Sequence, residues 1–194
     1  MCGLSRPCDI EYANEIMPEY IGFVFAEKSR RYVSQEKALE LRKKLDRKII
    51  PVGVFVNSQP EFIAELVDRK IIDMIQLHGA EDDSYIESLR QFVDVPVIKA
   101  FVVRSPHDIQ KAEQSTADYI LLDSGLGSGK TFDHSLINIK RPYFLAGGLT
   151  PENVSDIVGR LAPFAVDASS SLETDGYKDI NKMRAFANAL RRKD

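Results

Sequence analysis

Asp123 closes the apolar run Tyr119-Ile120-Leu121-Leu122. A carboxylate in that place either caps the following loop or works as an acid/base, and in a dry pocket a carboxyl keeps its proton to near-neutral pH and can donate it. Cys2 has only Met1 before it. A cysteine is either a small buried hydrophobe or, as a thiolate, a base and nucleophile. Arg31 follows Lys28-Ser29-Arg30 just beyond the apolar run Tyr20–Phe25. A guanidinium can fork onto a carboxylate or phosphate, or it can simply be a solvated loop charge. His78 ends the run Ile72–Leu77 and is either a polar lining group or a structural histidine.

Two segments have the composition of a phosphate cradle. Leu145-Ala146-Gly147-Gly148-Leu149 places Gly147 and Gly148 after an apolar run and before a helical pattern. Glycine lets backbone N–H groups approach an anion closely. Asp167-Ala168-Ser169-Ser170-Ser171 offers hydroxyls and amides after the next run. A third glycine-rich stretch, Ser124-Gly125-Leu126-Gly127-Ser128-Gly129-Lys130-Thr131, ends like a P-loop. That motif needs Gly five residues before Gly129, where Ser124 stands, so the stretch reads instead as a lid carrying Lys130.

These residues need elements to position them. Short apolar runs recur at Tyr20–Phe25, Ile49–Val56, Ile72–Leu77, Val95–Phe101, Tyr119–Leu122, Tyr143–Ala146 and Phe164–Val166. They lack period-two alternation, as expected of parallel strands buried on both faces. Helical patterns fill the intervals: near Asp9–Ile16, from Ser34 to Leu45, after Pro60, after Asp83, after Ser105-Pro106, after Thr150-Pro151 and from Asp179 to about Arg191. Thr150-Pro151-Glu152 reads as an N-cap, a first-turn proline and a first-turn acid. Strand, helix, strand without any β-hairpin predicts an α/β fold, a compact (β/α)8 TIM barrel, rather than a doubly wound open sheet. The eighth strand must then end at Cys2, so the first strand is very short or truncated. In such barrels the chemistry sits after the C-terminal ends of the strands, and phosphate binds after the seventh and eighth. Every residue named above stands there, with Cys2 expected to face Asp123 across the barrel mouth.

Composition bounds the rest. The 194 residues suit one domain, 1–194, with 44% hydrophobic and 28% charged residues. A net charge of −3 gives no case for nucleic acid or an anionic membrane. Arg42-Lys43-Lys44 and Arg191-Arg192-Lys193 read as solvated helix faces or a frayed end. Two cysteines, Cys2 and Cys8, make no secreted disulfide framework. No apolar run is long enough to span a bilayer and no targeting pattern opens the chain, so the expected location is cytoplasmic.

The motifs are specific enough to carry a resemblance. Cys2-Gly3-Leu4-Ser5-Arg6-Pro7, Gly22-Phe23-Val24-Phe25, Ser29-Arg30-Arg31-Tyr32-Val33, Gly53-Val54-Phe55-Val56-Asn57, Gln76-Leu77-His78-Gly79, Gly127-Ser128-Gly129-Lys130-Thr131-Phe132-Asp133, Leu145-Ala146-Gly147-Gly148-Leu149 and Asp167-Ala168-Ser169-Ser170 occur in that order. Together they resemble the phosphoribosylanthranilate isomerases of tryptophan biosynthesis, over essentially the whole chain. The resemblance implies an Amadori rearrangement of N-(5′-phosphoribosyl)anthranilate to 1-(2-carboxyphenylamino)-1-deoxyribulose 5-phosphate, with no metal and no cofactor. It implies that Asp123 protonates the furanose ring oxygen and that Cys2 removes the C2′ proton. It implies that Arg31 holds the anthranilate carboxylate, while Gly148, Ser169 and Ser170 lie in the phosphate loops. The partner is then a small phosphorylated sugar, and the enzyme a monomer or homodimer. The chain departs from the family pattern at Arg30, where the family usually has Pro, at Ser171, where it usually has Gly, and in the few residues before Cys2.

Two rivals remain. A related barrel lyase or epimerase needs metal-ligating His and acidic residues at several strand ends, and this chain offers mainly His78. The other is a non-catalytic barrel that only binds a phospholigand, which turnover would exclude.

Overall fold

The structure, a computed structural model, describes residues 1–123 and 137–191. They form two compact units, one of residues 1–100 with 115–119, the other drawn from 101–114 and 120–191.

The first unit alternates helix and strand: α1 (Pro7–Ile16), β1 (Tyr20–Val24), α2 (Gln35–Arg42), β2 (Ile50–Phe55), α3 (Pro60–Asp68), β3 (Met74–Leu77), α4 (Asp83–Leu89) and the start of β4 (Val97–Val102). The strands pair in parallel and in sequence order, with Gly22 opposite Val52, Phe55 opposite Leu77 and Leu77 opposite Lys99. Near-continuous apolar strands follow from burial on both faces. Phe23, Phe55, Ile21 and Ile75 are fully buried. Phe25 stacks on Phe55 at 5.2 Å, and Phe62 meets both rings edge-on.

Local chemistry sets the helix starts. Pro7, Pro60 and Pro106 each open a helix, where the missing N–H is no loss. The Ser34 hydroxyl accepts from Lys37 N at 3.2 Å, and the Asp82 carboxylate from Tyr85 N at 2.9 Å. Such caps stabilise a helix by about 1 kcal/mol each.

The second unit holds α5 (Pro106–Gln114), most of β5 (Tyr119–Asp123), β6 (Tyr143–Ala146), α6 (Val154–Leu161), β7 (Ala165–Asp167), a 3-10 turn (Ser170–Leu172), β8 (Glu173–Thr174), β9 (Tyr177–Lys178) and α7 (Ile180–Arg191). β5, β6 and β7 are again parallel and in sequence order. Phe186 and Met183 of α7 and Leu172 of the 3-10 turn are buried in this unit.

Two expectations need correction. The helix expected from Thr150 begins later, with Asn153 as its N-cap. Thr150 to Asn153 is a turn instead, because the Asn153 Oδ1 accepts from Thr150 N at 2.8 Å and its Nδ2 donates to Gly148 O at 2.9 Å. And a hairpin exists: β8 and β9 pair antiparallel, Glu173 opposite Lys178. Its two-residue turn is Asp175-Gly176, with φ of 51° and 82°. Both central residues at positive φ are what an Asp-Gly hairpin turn provides. The glycine-rich stretch with Lys130, expected to act as a lid, lies outside the described residues.

Candidate active site

The first site segment is Met1-Cys2-Gly3. It forms no regular strand, yet it lies parallel along β1 through a Cys2–Gly22 bridge. Gly22 N donates to Met1 O at 2.9 Å, and both Gly3 N and Leu4 N donate to Gly22 O, at 2.9 and 3.1 Å. These bonds cover the edge of β1 at the position where a first barrel strand was expected. Leu4 is fully buried and anchors the segment in the core. Asp9, 1% exposed, locks the next loop: its carboxylate accepts from Ser5 N and Arg6 N, both at 2.9 Å, and from the Arg6 guanidinium at 2.8 and 3.0 Å.

Glycines on both sides of Cys2 make room. A Cβ on Gly22 would sit 2.6 Å from the Cys2 Sγ and 3.1 Å from its Cα. Gly3 has φ +80°, and a Cβ there would collide with the Arg31 Cδ. Arg31 therefore lies across the residue next to Cys2, half-buried, whereas Arg30 is exposed. Arg31 thus packs on Gly3, the residue that follows Cys2 in the chain. Gly22→Ala is expected to leave the fold intact and to lower kcat by about 10²-fold, since a displacement of about 1 Å is enough to do so. Far-UV circular dichroism and steady-state kinetics check both halves. Neither Cys2 nor Cys8 is disulfide-bonded; Cys8 is the second residue of α1.

His78 leaves β3 half-buried. Its Nδ1 lies 2.9 Å from the Nε2 of Gln76, a side chain 5% exposed. The Gln76 amide nitrogen can only donate, so it faces the ring nitrogen as a donor. Beneath it lies an ion pair that the sequence reading missed. Lys99 Nζ meets Glu81 Oε2 at 3.1 Å, with side chains 7% and 1% exposed. Glu81 also accepts from Asn57 N at 2.5 Å and Gly79 N at 2.8 Å, while Lys99 donates to Gly79 O at 2.7 Å. One buried pair thus ties together the loops after β2 and β3 with strand β4. Breaking such a pair from one side costs about 3–5 kcal/mol, which marks it as scaffold for the loop carrying His78. Its available signal was a lysine inside an apolar strand, Val97-Ile98-Lys99, since buried lysines are almost always paired. Nearby, burial pushes the Tyr85 phenol up to about 12, and its hydroxyl donates to Ser58 O at 2.6 Å.

The second unit gathers the other expected residues at its strand ends. Leu122 pairs with Leu145, and Ala146 with Asp167. Asp123, Gly147 and Ala168 therefore leave three adjacent parallel strands at nearly one level. Asp123 is half-buried and its carbonyl accepts from Val103 N at 2.9 Å. Gly147 and Gly148 have φ of 87° and 66°. Two successive residues at positive φ favour glycine, and without side chains the backbone here is open to close approach by an anion. Ser169 is half-buried and Ser170 exposed. Ser171, in place of the family's usual glycine, sits inside the 3-10 turn, a conformation open to serine.

Among the described residues no cluster of three or more His, Cys, Asp or Glu could hold a metal ion. Among them also, no helix is long and apolar enough to cross a membrane.

Comparison with known proteins gives a consistent result. The family model for N-(5′phosphoribosyl)anthranilate (PRA) isomerase matches residues 1–189. N-(5′-phosphoribosyl)anthranilate isomerase of Endomicrobium trichonymphae is 42% identical, covering 98% of this chain and 96% of that protein. The one from Thermoanaerobacter sp. (strain X514) is 39% identical over the same shares. The crystal structure of phosphoribosyl anthranilate isomerase from Thermotoga maritima superposes with a TM-score of 0.88 at 35% identity, covering 98% of this chain and 97% of that one. Another such isomerase, in complex with reduced 1-(o-carboxyphenylamino)-1-deoxyribulose 5-phosphate, gives 0.86 at 34% identity, covering 98% and 96%. The fold is thereby of the (β/α)8-barrel class, with its first strand reduced to the residues around Cys2.

Proposed function

The chain belongs to the N-(5′-phosphoribosyl)anthranilate isomerase family, and from that premise we propose how its residues divide the work of the Amadori rearrangement. Asp123 is the general acid. It protonates the furanose ring oxygen, and the ring opens to a Schiff base. Cys2 is the general base. It takes the C2′ proton, and the resulting enolamine tautomerises to the ketone of 1-(2-carboxyphenylamino)-1-deoxyribulose 5-phosphate. Arg31 pairs with the anthranilate carboxylate. Gly147, Gly148, Ser169 and Ser170 hold the phosphate through backbone N–H groups and hydroxyls. His78 lines the substrate site. The reaction is internal and redox-neutral, so positioned acid, base and anion sites are enough to drive it.

The observation that carries this reading is the adjacency at the ends of β5, β6 and β7. A carboxylate stands there beside a pair of glycines at positive φ and a serine loop. Proton donor and phosphate anchor belong to the same end of the same substrate. The N-terminal segment supports the other half, since Arg31 is laid over Gly3, the neighbour of Cys2. We place the enzyme in the cytoplasm, as a monomer or homodimer whose partner is the small phosphorylated sugar.

The test is loss of phosphoribosylanthranilate fluorescence on adding the protein. Turnover is expected; phosphate binding without turnover would leave only a binding barrel. Arg31→Ala is expected to raise KM by roughly 10- to 100-fold, the loss of one charged, forked hydrogen bond. Arg31→Lys restores little of this, because an ammonium lacks the planar fork.

A further inference from the structure

Lys178 is the most buried cation among the described residues, its side chain 1% exposed. An ammonium has three N–H donors, and each finds an acceptor here. Nζ lies 2.7 Å from Glu173 Oε1, 3.0 Å from Ser169 O and 3.3 Å from Ser169 Oγ. Two of the three bonds go to one residue, and that residue belongs to the phosphate loop proposed above. We infer that Lys178 is a positioning residue that sets the phosphate-facing geometry of Ser169 and Ser170, an inference that rests on this loop being the phosphate site.

The stereochemistry is direct. The Ser169 carbonyl accepts from Lys178 Nζ and from Leu172 N at 3.1 Å, so its direction is fixed twice. The peptide that follows is planar and trans, so the N–H of Ser170 points opposite to that carbonyl. Aiming the carbonyl at a buried ammonium therefore aims the Ser170 N–H away from it, toward the open side of the loop. The Ser169 hydroxyl accepts from the same ammonium, and a hydroxyl polarised in this way donates more strongly to an oxyanion. Glu173, 3% exposed, balances the charge, so the device adds a direction rather than a net charge.

The β8–β9 hairpin brings Lys178 to this place. Its Asp175-Gly176 turn sends the chain back so that Lys178 pairs directly across from Glu173. The Lys182 Nζ then donates to Glu173 O at 2.6 Å and Asp179 N to Leu172 O at 2.9 Å, tying the hairpin to α7.

Inorganic phosphate as a competitive inhibitor reads this site. Lys178→Met alone strands a buried carboxylate, so the informative variants are the neutral pair Glu173→Gln/Lys178→Met and the charge-keeping Lys178→Arg. Both are expected to raise the phosphate Ki and the substrate KM by about tenfold or more, the size of a lost charge-assisted bond, with kcat within about threefold. A merely structural lysine would lower the melting temperature and the active fraction without moving Ki. Ser169→Ala is the control on the premise. If it raises Ki while both Lys178 variants leave Ki unchanged, the positioning role is overturned and the phosphate loop stands. If Ser169→Ala leaves Ki unchanged, the loop assignment itself fails.

Discussion

Asp123→Asn is expected to lower kcat by about 10²- to 10⁴-fold, the range that a positioned general acid contributes. The substitution is close to isosteric. The backbone bond that seats the residue, Val103 N to the Asp123 carbonyl, does not involve the side chain. The strand and its register against β6 should therefore persist, and the melting temperature should move little. What is lost is the proton. An amide cannot protonate a ring oxygen, so the furanose stays closed and no Schiff base forms. The glycine pair Gly147-Gly148, proposed to hold the phosphate, is untouched, so the variant should still be inhibited competitively by inorganic phosphate. Loss of turnover with retained phosphate binding separates a catalytic carboxylate from a loop cap. A cap removed would instead loosen the loop and weaken phosphate first. Near-normal kcat in Asp123→Asn would end the assignment.

The elements were legible where burial alone dictates composition. Runs such as Ile49–Val56 and Ile72–Leu77 are apolar on both faces because both faces are covered, and β2 and β3 lie within them. Helix starts were legible where a proline or a capping side chain does only one job, as at Pro60 and Ser34, whereas the cap of α4 is Asp82, one residue before the Asp83 where the sequence opened it. Thr150-Pro151 misled because Asn153, three residues on, spends its side chain on Gly148 and Thr150. The β8–β9 hairpin escaped because two-residue strands leave no pattern to read.

The candidate site was legible as residue types at strand ends, but not in its supports. Glu81, Glu173 and Lys178 look like ordinary surface charge in one dimension, and Lys99 stands out only by its place in an apolar strand, which does not name its partner. Their roles come from partners 18 and 5 residues away in the chain, and no local spacing reveals such partners. Gly22 is the subtler case. In sequence it is a small residue inside an apolar strand. In three dimensions it is the floor on which the Cys2 thiol rests, with no room for a methyl group.

That floor shapes the second large expectation. Cys2→Ser should lower kcat by about 10²- to 10⁴-fold while the protein remains folded. Oxygen is smaller than sulfur, so a serine fits against Gly22 without strain. The bonds that hold the segment to β1 are all backbone bonds, from Met1, Gly3, Leu4 and Gly22. Packing and pairing therefore survive, and only the chemistry changes. A thiol gives up its proton far more readily than an alcohol does, so a serine is a poor base where a cysteine serves. Without a base at C2′, the ring can still open at Asp123, but the Schiff base keeps its proton and reverts. Ring opening and proton abstraction would then be separable: substrate deuterated at C2′ should show a larger isotope effect in Cys2→Ser than in the parent protein. Full activity in Cys2→Ser, or an unchanged isotope effect, would move the base to another residue. The same measurement on Gly22→Ala decides whether the position of the thiol matters as much as its presence, because that variant keeps the sulfur and displaces it.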